Sequence, residues 1–414
     1  MIVCKFGGSS VDGAAGIERV GGIIRERLGA RPVVVVSAMA KTTRRLLDSA
    51  EAAAAGSLAE ALAGFEELRE FHRREAEAAV PAAGRAPLAA ALARSFGELR
   101  ALLERLAAER RLTPRDADAA AAYGEVLASE ILALALPRFG VEAAWIDARQ
   151  VVVTDAAFTR ARPLYGETDA RLRAAILPAV ERGAVPVLGG YIGATSGGIV
   201  TTLGKEGSDF TAAIVGAAVG ASEVQIWTDV DGILTADPRL VPGARRIRNL
   251  SFAEALELAC SGAKKPHPGT LGPAGRAGLP IRILNSLDGR GEGTLIDRPA
   301  ADGAVERPSV KSLACRPNDY LLHVAPRQAA PGRDEGEGEG MGEGEGGSEG
   351  GSGAFAGKVL AAVTSLRPAL LVLRLDAEGA LLALDRADRL GEVREALGAA
   401  GEVGVLHGRA VVSL

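Results

Sequence analysis

Short apolar runs rich in Val and Ile alternate with longer stretches of helical spacing through about residue 300. The runs predict strands at 2–6, 32–37, 141–147, 184–189, 223–229 and 280–285. The Ala/Leu/Glu/Arg segments between them predict helices at 15–29, 57–79, 87–110, 116–136, 168–182 and 208–219. A strand buried on both faces reads as a continuous apolar run, so this alternation predicts an α/β fold with an open, mainly parallel sheet sandwiched by helices. Segments 57–79 and 87–110 set leucines against charges such as Glu66, Glu67, Arg69 and Glu70, the pattern of a solvated helical hairpin.

Beyond residue 300 the texture changes. Residues 299–308 read as a linker, and 309–324 as one or two strands. The Gly/Glu/Ser-rich tract 328–357 has too little apolar surface to offset the entropy of ordering and is expected to be disordered. A small α/β piece follows, with strands expected at 369–375 and 410–414 and a helix at 390–400.

Charge adds one asymmetry. The chain carries a formal net charge of −4, of which −6 comes from residues 333–353, leaving +2 elsewhere. A broad basic surface for nucleic acid is therefore not expected. The three cysteines (Cys4, Cys260, Cys315) and four histidines (His72, His267, His323, His407) lack zinc or disulfide spacing, so no metal ligands are assigned. No signal-peptide pattern opens the chain and no run is expected to span a bilayer, which favours a cytoplasmic protein without a membrane partner.

Several segments carry chemistry. No G-x-x-x-x-G-K-[ST] occurs, and the one G-x-G-x-x-G, at 342–347, lies in the acidic tract, where its carboxylates would repel phosphate. At the end of the first predicted strand, Lys5-Phe6-Gly7-Gly8-Ser9-Ser10 offers a fixed positive charge and a glycine turn whose amides can face phosphate oxygens. The stretch Thr201–Asp209 ends in Ser208 and Asp209, which read either as caps of the helix that follows or as groups at an anion-binding helix N-terminus. The loop after 223–229 gathers Asp229, Asp231, Asp237 and Arg239 at the edge where parallel sheets bind ligands. Gly262-Ala263-Lys264 supplies a further lysine suited to phosphate.

In this order, and with Ser37–Thr43, Tyr123-Gly124-Glu125, Thr154–Phe158, Gly190–Thr195, Asn285 and Gly293-Thr294, these segments resemble the aspartokinase members of the amino acid kinase family over residues 1–298. The resemblance implies an ATP- and Mg2+-dependent kinase that phosphorylates the β-carboxylate of L-aspartate, opening the route to lysine, threonine and methionine. It implies Lys5 and Asp209 as catalytic residues. Lys5, Phe6, Gly7, Gly8, Ser9, Thr228, Asp229, Leu234, Arg239 and Lys264 would hold ATP, and Thr43, Glu125, Lys205 and Ser208 the aspartate. It leaves a homodimer open. Another amino acid kinase, or a non-catalytic subunit retaining the fold, stands as the alternative.

Three departures stand out. Lys205 occupies a place where the family commonly has Arg, keeping the charge but losing the bidentate fork. Glu206 replaces a frequent glycine, and Lys265-Pro266 replaces an apolar pair. After residue 308 the sequence resembles one degenerate ACT module, with 328–357 where its first helix and effector loop belong and 402–414 resembling the opening strand of a second. Little inhibition by lysine or threonine is therefore expected.

Overall fold

The computed structural model describes residues 1–239, 241–260, 268–289, 291–298, 312, 314–325, 355, 357–362, 370–375, 379–384 and 390–413. They fall into two compact units, the first within Met1–Ala259 and Lys264–Ser309, the second within Val310–Leu414 together with Cys260.

The strands of the first unit are β1 Ile2–Phe6, β2 Pro32–Val36, β3 Ala143–Ile146, β4 Val153–Thr154, β5 Val185–Gly189 and β6 Ile192–Thr195. They continue with β7 Val200–Thr202, β8 Glu223–Thr228, β9 Asn249–Ser251, β10 Ile281–Asn285 and β11 Thr294–Asp297. Its helices are α1 Gly13–Glu26, α2 Thr42–Ala54, α3 Leu58–Ala79, α4 Arg85–Glu109 and α5 Pro114–Ala135. Then come α6 Ala148–Val151, α7 Tyr165–Glu181, α8 Gly207–Val219, α9 Phe252–Cys260 and α10 Pro268–Ala277.

Eight strands form the central sheet in the order β3-β5-β2-β1-β8-β10-β11-β9. From β3 to β10 every pairing is parallel, and β11 alone runs antiparallel to β10. The apolar runs are continuous because helices cover both faces: Val33 to Val36 are all fully buried. A second sheet, β4-β6-β7, stands beside it. The expected α/β class and all six expected strands are present. The short strands β4, β6, β7, β9 and β11 escape the sequence because two to four residues are too few for a period to register.

One expectation changes here. The segment Pro114–Phe139 is long and apolar enough to cross a membrane, contrary to the sequence expectation. In this fold it is a core helix, with 83% of its most apolar window buried. It is opened by Pro114 at the first turn and a Thr113–Asp116 capping box, and its alanines let neighbouring elements approach closely. The hairpin α3–α4 is solvated on one side only. Phe65, Leu68, Leu88, Phe96, Leu99 and Leu103 join the same core as Val34 and Val36 of β2.

In the second unit β12 Ala314–Ala325, β13 Leu370–Leu375, β14 Ala380–Leu384 and β15 Glu402–Ser413 form an antiparallel sheet in the order β13-β14-β12-β15. Residues 357–362 and α11 Leu390–Gly398 supply helices. The expected strand 410–414 is part of a twelve-residue strand, β15, that pairs antiparallel along β12. The disordered tract was expected to run to 357, yet Phe355 is helical and buried with Val359 against Leu322, Leu382 and Leu397. Burial of that phenyl ring outweighs the local glycine content. Residues 328–354 and 356, and the linker 299–308, lie outside the described residues.

Candidate functional site

The C-terminal ends of the neighbouring parallel strands β5, β2, β1 and β8 lie along one edge of the sheet, and each leads into a turn or loop. After β1 the backbone folds tightly: the Ser10 and Val11 amides both donate to Gly7 O, at 2.9 and 3.2 Å. The Gly7 amide donates to Trp227 O at the end of β8, 3.2 Å away. Of the three loop amides expected to face phosphate, Gly7's is thus committed to the fold. Those of Gly8 and Ser9 have no protein partner among the described residues. Gly8 is required by close approach, since a Cβ there would lie 2.7 Å from Ala38 O.

Lys5 points beneath this turn. Its side chain is 4% exposed, and Nζ lies 2.5 Å from Oδ1 of Asp209, itself 1% exposed. Asp209 sits in the first turn of α8, which begins at Gly207. Ser208 and Asp209 are therefore inside the helix, and the capping reading is corrected: the N-cap is Glu206, in a left-handed conformation (φ 55°) that ends the turn carrying Lys205. Ser208 is buried against Gly190, where a Cβ would come within 2.6 Å of Ser208 Cα.

Glu125 approaches from α5. Gly124 lets that helix lie against the loop after β2, since a Cβ there would meet the Ala38 methyl at 2.8 Å. Glu125 Oε1 accepts from the Ala38 amide at 3.3 Å and from the Thr43 hydroxyl at 3.5 Å. Its other oxygen, Oε2, is buried and has no hydrogen-bond partner among the described residues. Burial pushes the Glu125 carboxyl up to about 8, against the pull of those donors and of the Lys5 charge. A buried carboxylate with one open oxygen is a site for a cationic group.

Lys205 is exposed, with its ammonium in no ion pair among the described residues. On the far side of β1, Thr228 is buried, with its hydroxyl donating to Asp229 Oδ1 at 3.0 Å. Leu234 bridges to Arg246 across an isolated β-pair. Arg239 is exposed and forks onto Asp237, two residues away, with Nε 3.0 Å from Oδ1. Phe6 is buried and stacks on Trp227, which places it in the core under the turn rather than at its surface. Lys264, with the rest of 261–267, lies outside the described residues. The geometry thus sets Lys5 on Asp209, Thr43 on Glu125 and Ser208 against Gly190, with Thr228 at the end of neighbouring β8.

Two features were not legible as site elements. Ser10 and Ser286 share a buried hydroxyl contact, 2.8 Å, that ties the glycine turn to the end of β10. Asp118, 1% exposed on α5, accepts from the Thr159 amide, the Thr202 amide and the Thr202 hydroxyl. Burial raises its carboxyl above the ordinary range, with those donors opposing. Its spacing of seven residues from Glu125, two helical turns, was the only signal available.

Comparison with known proteins gives a consistent picture. Residues 1–285 match the amino acid kinase family. Lysine-sensitive aspartokinase 3 of Escherichia coli is 36% identical over 324 residues, covering 78% of this chain and 69% of that protein. Aspartokinase 2, chloroplastic, of Arabidopsis thaliana is 34% identical over 328 residues, covering 78% of this chain. The chain spans only 58% of the length of that plant relative and 53% of the plant aspartokinase 3. Among solved structures, E. coli aspartokinase III in complex with aspartate and ADP superposes with a TM-score of 0.80 at 30% identity, covering all of this chain and 86% of that one.

Proposed function

The chain belongs to the amino acid kinase family, and we propose that it is an aspartate kinase, transferring the γ-phosphoryl group of ATP to the β-carboxylate of L-aspartate. The observation that carries this reading is the pairing of a buried, charge-compensated lysine under a glycine turn with a buried glutamate whose Oε2 is open. The first suits a transferring phosphoryl group and the second the ammonium of an amino acid. The E. coli relative whose structure holds aspartate and ADP supports the same substrates here.

The chemistry needs no general base. The aspartate side chain, with a pKa of about 4, is already a carboxylate near neutral pH. Its oxygen forms the new bond to the γ-phosphorus as the bond to the β–γ bridging oxygen breaks, and ADP departs with that electron pair. The obstacle is the approach of two anions, so catalysis is positioning and charge neutralisation. In this reading Lys5 neutralises the transferring group, held by Asp209, and the Gly8 and Ser9 amides donate to phosphate oxygens. Glu125 takes the substrate ammonium, while Lys205 and Ser208 take its α-carboxylate, with Thr43 beside Glu125. Thr228, Asp229, Leu234, Arg239 and Lys264 flank the nucleotide.

Among the described residues no three His, Cys, Asp or Glu side chains cluster as metal ligands. In this reading Mg2+ would be held chiefly through the nucleotide phosphates, with Asp209 the nearby carboxylate, and would neutralise phosphate charge. The substrates are soluble metabolites, which fits a cytoplasmic enzyme, and a homodimer fits the reading equally. The opening step of lysine, threonine and methionine synthesis is its place in metabolism.

A coupled ADP-release assay across a panel of amino acids tests the proposal. Release that depends on aspartate is expected. Release dependent on another acceptor would transfer the reading to a different amino acid kinase, and nucleotide binding without turnover would make the chain a non-catalytic subunit.

A further inference from the structure

We propose that Asp118 is a positioning residue for the α-carboxylate side of the substrate site, fixing the turn that carries Lys205 and leads into the helix bearing Ser208. This inference rests on the aspartate kinase reading. Asp118 Oδ2 accepts from the Thr159 amide at 2.8 Å and the Thr202 amide at 3.0 Å, and Oδ1 accepts from the Thr202 hydroxyl at 2.6 Å. All three partners are donors, which a single buried carboxylate satisfies and an apolar side chain would leave stranded.

The two segments it grips are the two sides of the turn. Thr202 ends β7 and runs directly into 203–206. Residues 159–161 lie against that turn: the Ala161 amide donates to Thr202 O at 2.8 Å, and a Cβ on Gly204 would face Thr159 O at 3.3 Å. Lys205 is flanked by two left-handed residues, Gly204 (φ 81°) and Glu206 (φ 55°). For glutamate that conformation is strained and persists only where the surroundings over-determine it. Asp118 supplies the constraint from the protein interior.

The same helix carries Glu125, seven residues on and facing the same side of α5. One rigid element therefore sets both the ammonium acceptor and, through Thr202, the turn that presents the α-carboxylate donors. The distance between the two charges of an α-amino acid is thereby built into α5. Lys205, exposed and flexible, gains its direction from a backbone that Asp118 holds.

The test is steady-state kinetics on the full chain with Asp118→Asn, Asp118→Ala, Thr202→Val and Glu125→Gln. Asp118→Ala should raise the aspartate KM about tenfold or more, the scale of losing a charged acceptor, with the ATP KM within about twofold. Asp118→Asn, whose amide oxygen still accepts from both backbone amides, should recover most of that loss. Thr202→Val keeps the shape, removes the hydroxyl's hydrogen bonds to Asp118 and Tyr191, and should raise the aspartate KM about threefold. A folded Asp118→Ala that lowers only the maximal rate, with unchanged aspartate KM, overturns the positioning role. Where that variant does not fold, an unchanged aspartate KM in Thr202→Val overturns it. Wild-type protein without aspartate-dependent turnover overturns the aspartate kinase reading and this inference with it. Wild-type activity with a raised KM in Glu125→Gln, but none in Asp118→Ala or Thr202→Val, overturns this inference alone.

Discussion

The hydroxyls of Ser10 and Ser286 lie 2.8 Å apart, 276 residues distant in sequence and both buried, joining the glycine turn after β1 to the end of β10. Ser286 also donates from its amide and its hydroxyl to Thr228 O, at 2.7 and 3.0 Å. The turn after β1 and the ends of β8 and β10 are thus one hydrogen-bonded piece. Ser286→Ala should cost about 1 kcal/mol of stability and raise the ATP KM severalfold while leaving the aspartate KM unchanged. Chemical denaturation and two-substrate kinetics check it, and a variant with a shifted aspartate KM alone would separate the contact from nucleotide binding.

Lys5 and Asp209 form a buried ion pair, 2.5 Å, and the two members should fail differently. Lys5→Ala removes the charge needed most as phosphoryl transfers, and kcat should fall about a hundredfold or more with little change in aspartate KM. Asp209→Ala leaves a buried lysine without its counter-charge and should destabilise the protein by about 3–5 kcal/mol. Thermal melting alongside kcat distinguishes them; near-normal kcat in Lys5→Ala would remove that lysine from catalysis.

Glu125 makes the free protein pH-sensitive. Its folded-state value, pushed up to about 8 by burial, lies above the ordinary 4.5, so the folded protein holds a proton that the unfolded chain has released across that window. Stability from this group is complete below 4.5 and is lost as pH rises toward 8. Glu125→Gln, neutral throughout, should flatten the decline of Tm with rising pH in that range. Pairing with a substrate ammonium requires the ionised form, so the wild-type aspartate KM should fall as pH rises toward 8, and the glutamine variant should have a higher KM without that trend. A parallel pH profile for the two proteins would contradict the assignment.

His72 acts with the opposite sign. Its Nδ1 lies 2.8 Å from Leu68 O, its ring meets Phe71 and Phe96 edge-on, and burial pulls its pKa down to about 4 from 6.5. The neutral ring is favoured on folding, so its contribution is present above pH 6.5 and is lost as pH falls toward 4. His72→Phe should make the Tm less sensitive to acid over that range without altering either KM. A Tm slope equal to wild type would show that other groups govern acid unfolding.

The sequence by itself determined the layers. Continuous apolar runs such as Val33–Val36 can only be strands covered twice, and their alternation with long amphipathic segments leaves the parallel α/β sheet as the consistent solution. It also singled out Lys5 with Gly7 and Gly8 as candidate chemistry, because a lysine before a glycine pair can face phosphate, whereas Glu125 entered only through the resemblance to aspartokinases. Tertiary structure decided the rest. Pairing of β1 with β8 commits the Gly7 amide to Trp227 O, which no local pattern encodes. Asp209 reads as a cap in sequence and becomes the lysine's counter-ion only when α8 starts at Gly207. The apolar length of Pro114–Phe139 is ambiguous between membrane and core until surrounding elements bury it. Asp118 and Ser286 look like ordinary polar residues because their partners, 84 and 276 positions away, meet them only when the chain closes on itself. Periodicity reports which side of an element is buried; which donor meets which acceptor is fixed by long-range packing, where each buried polar group must find a partner.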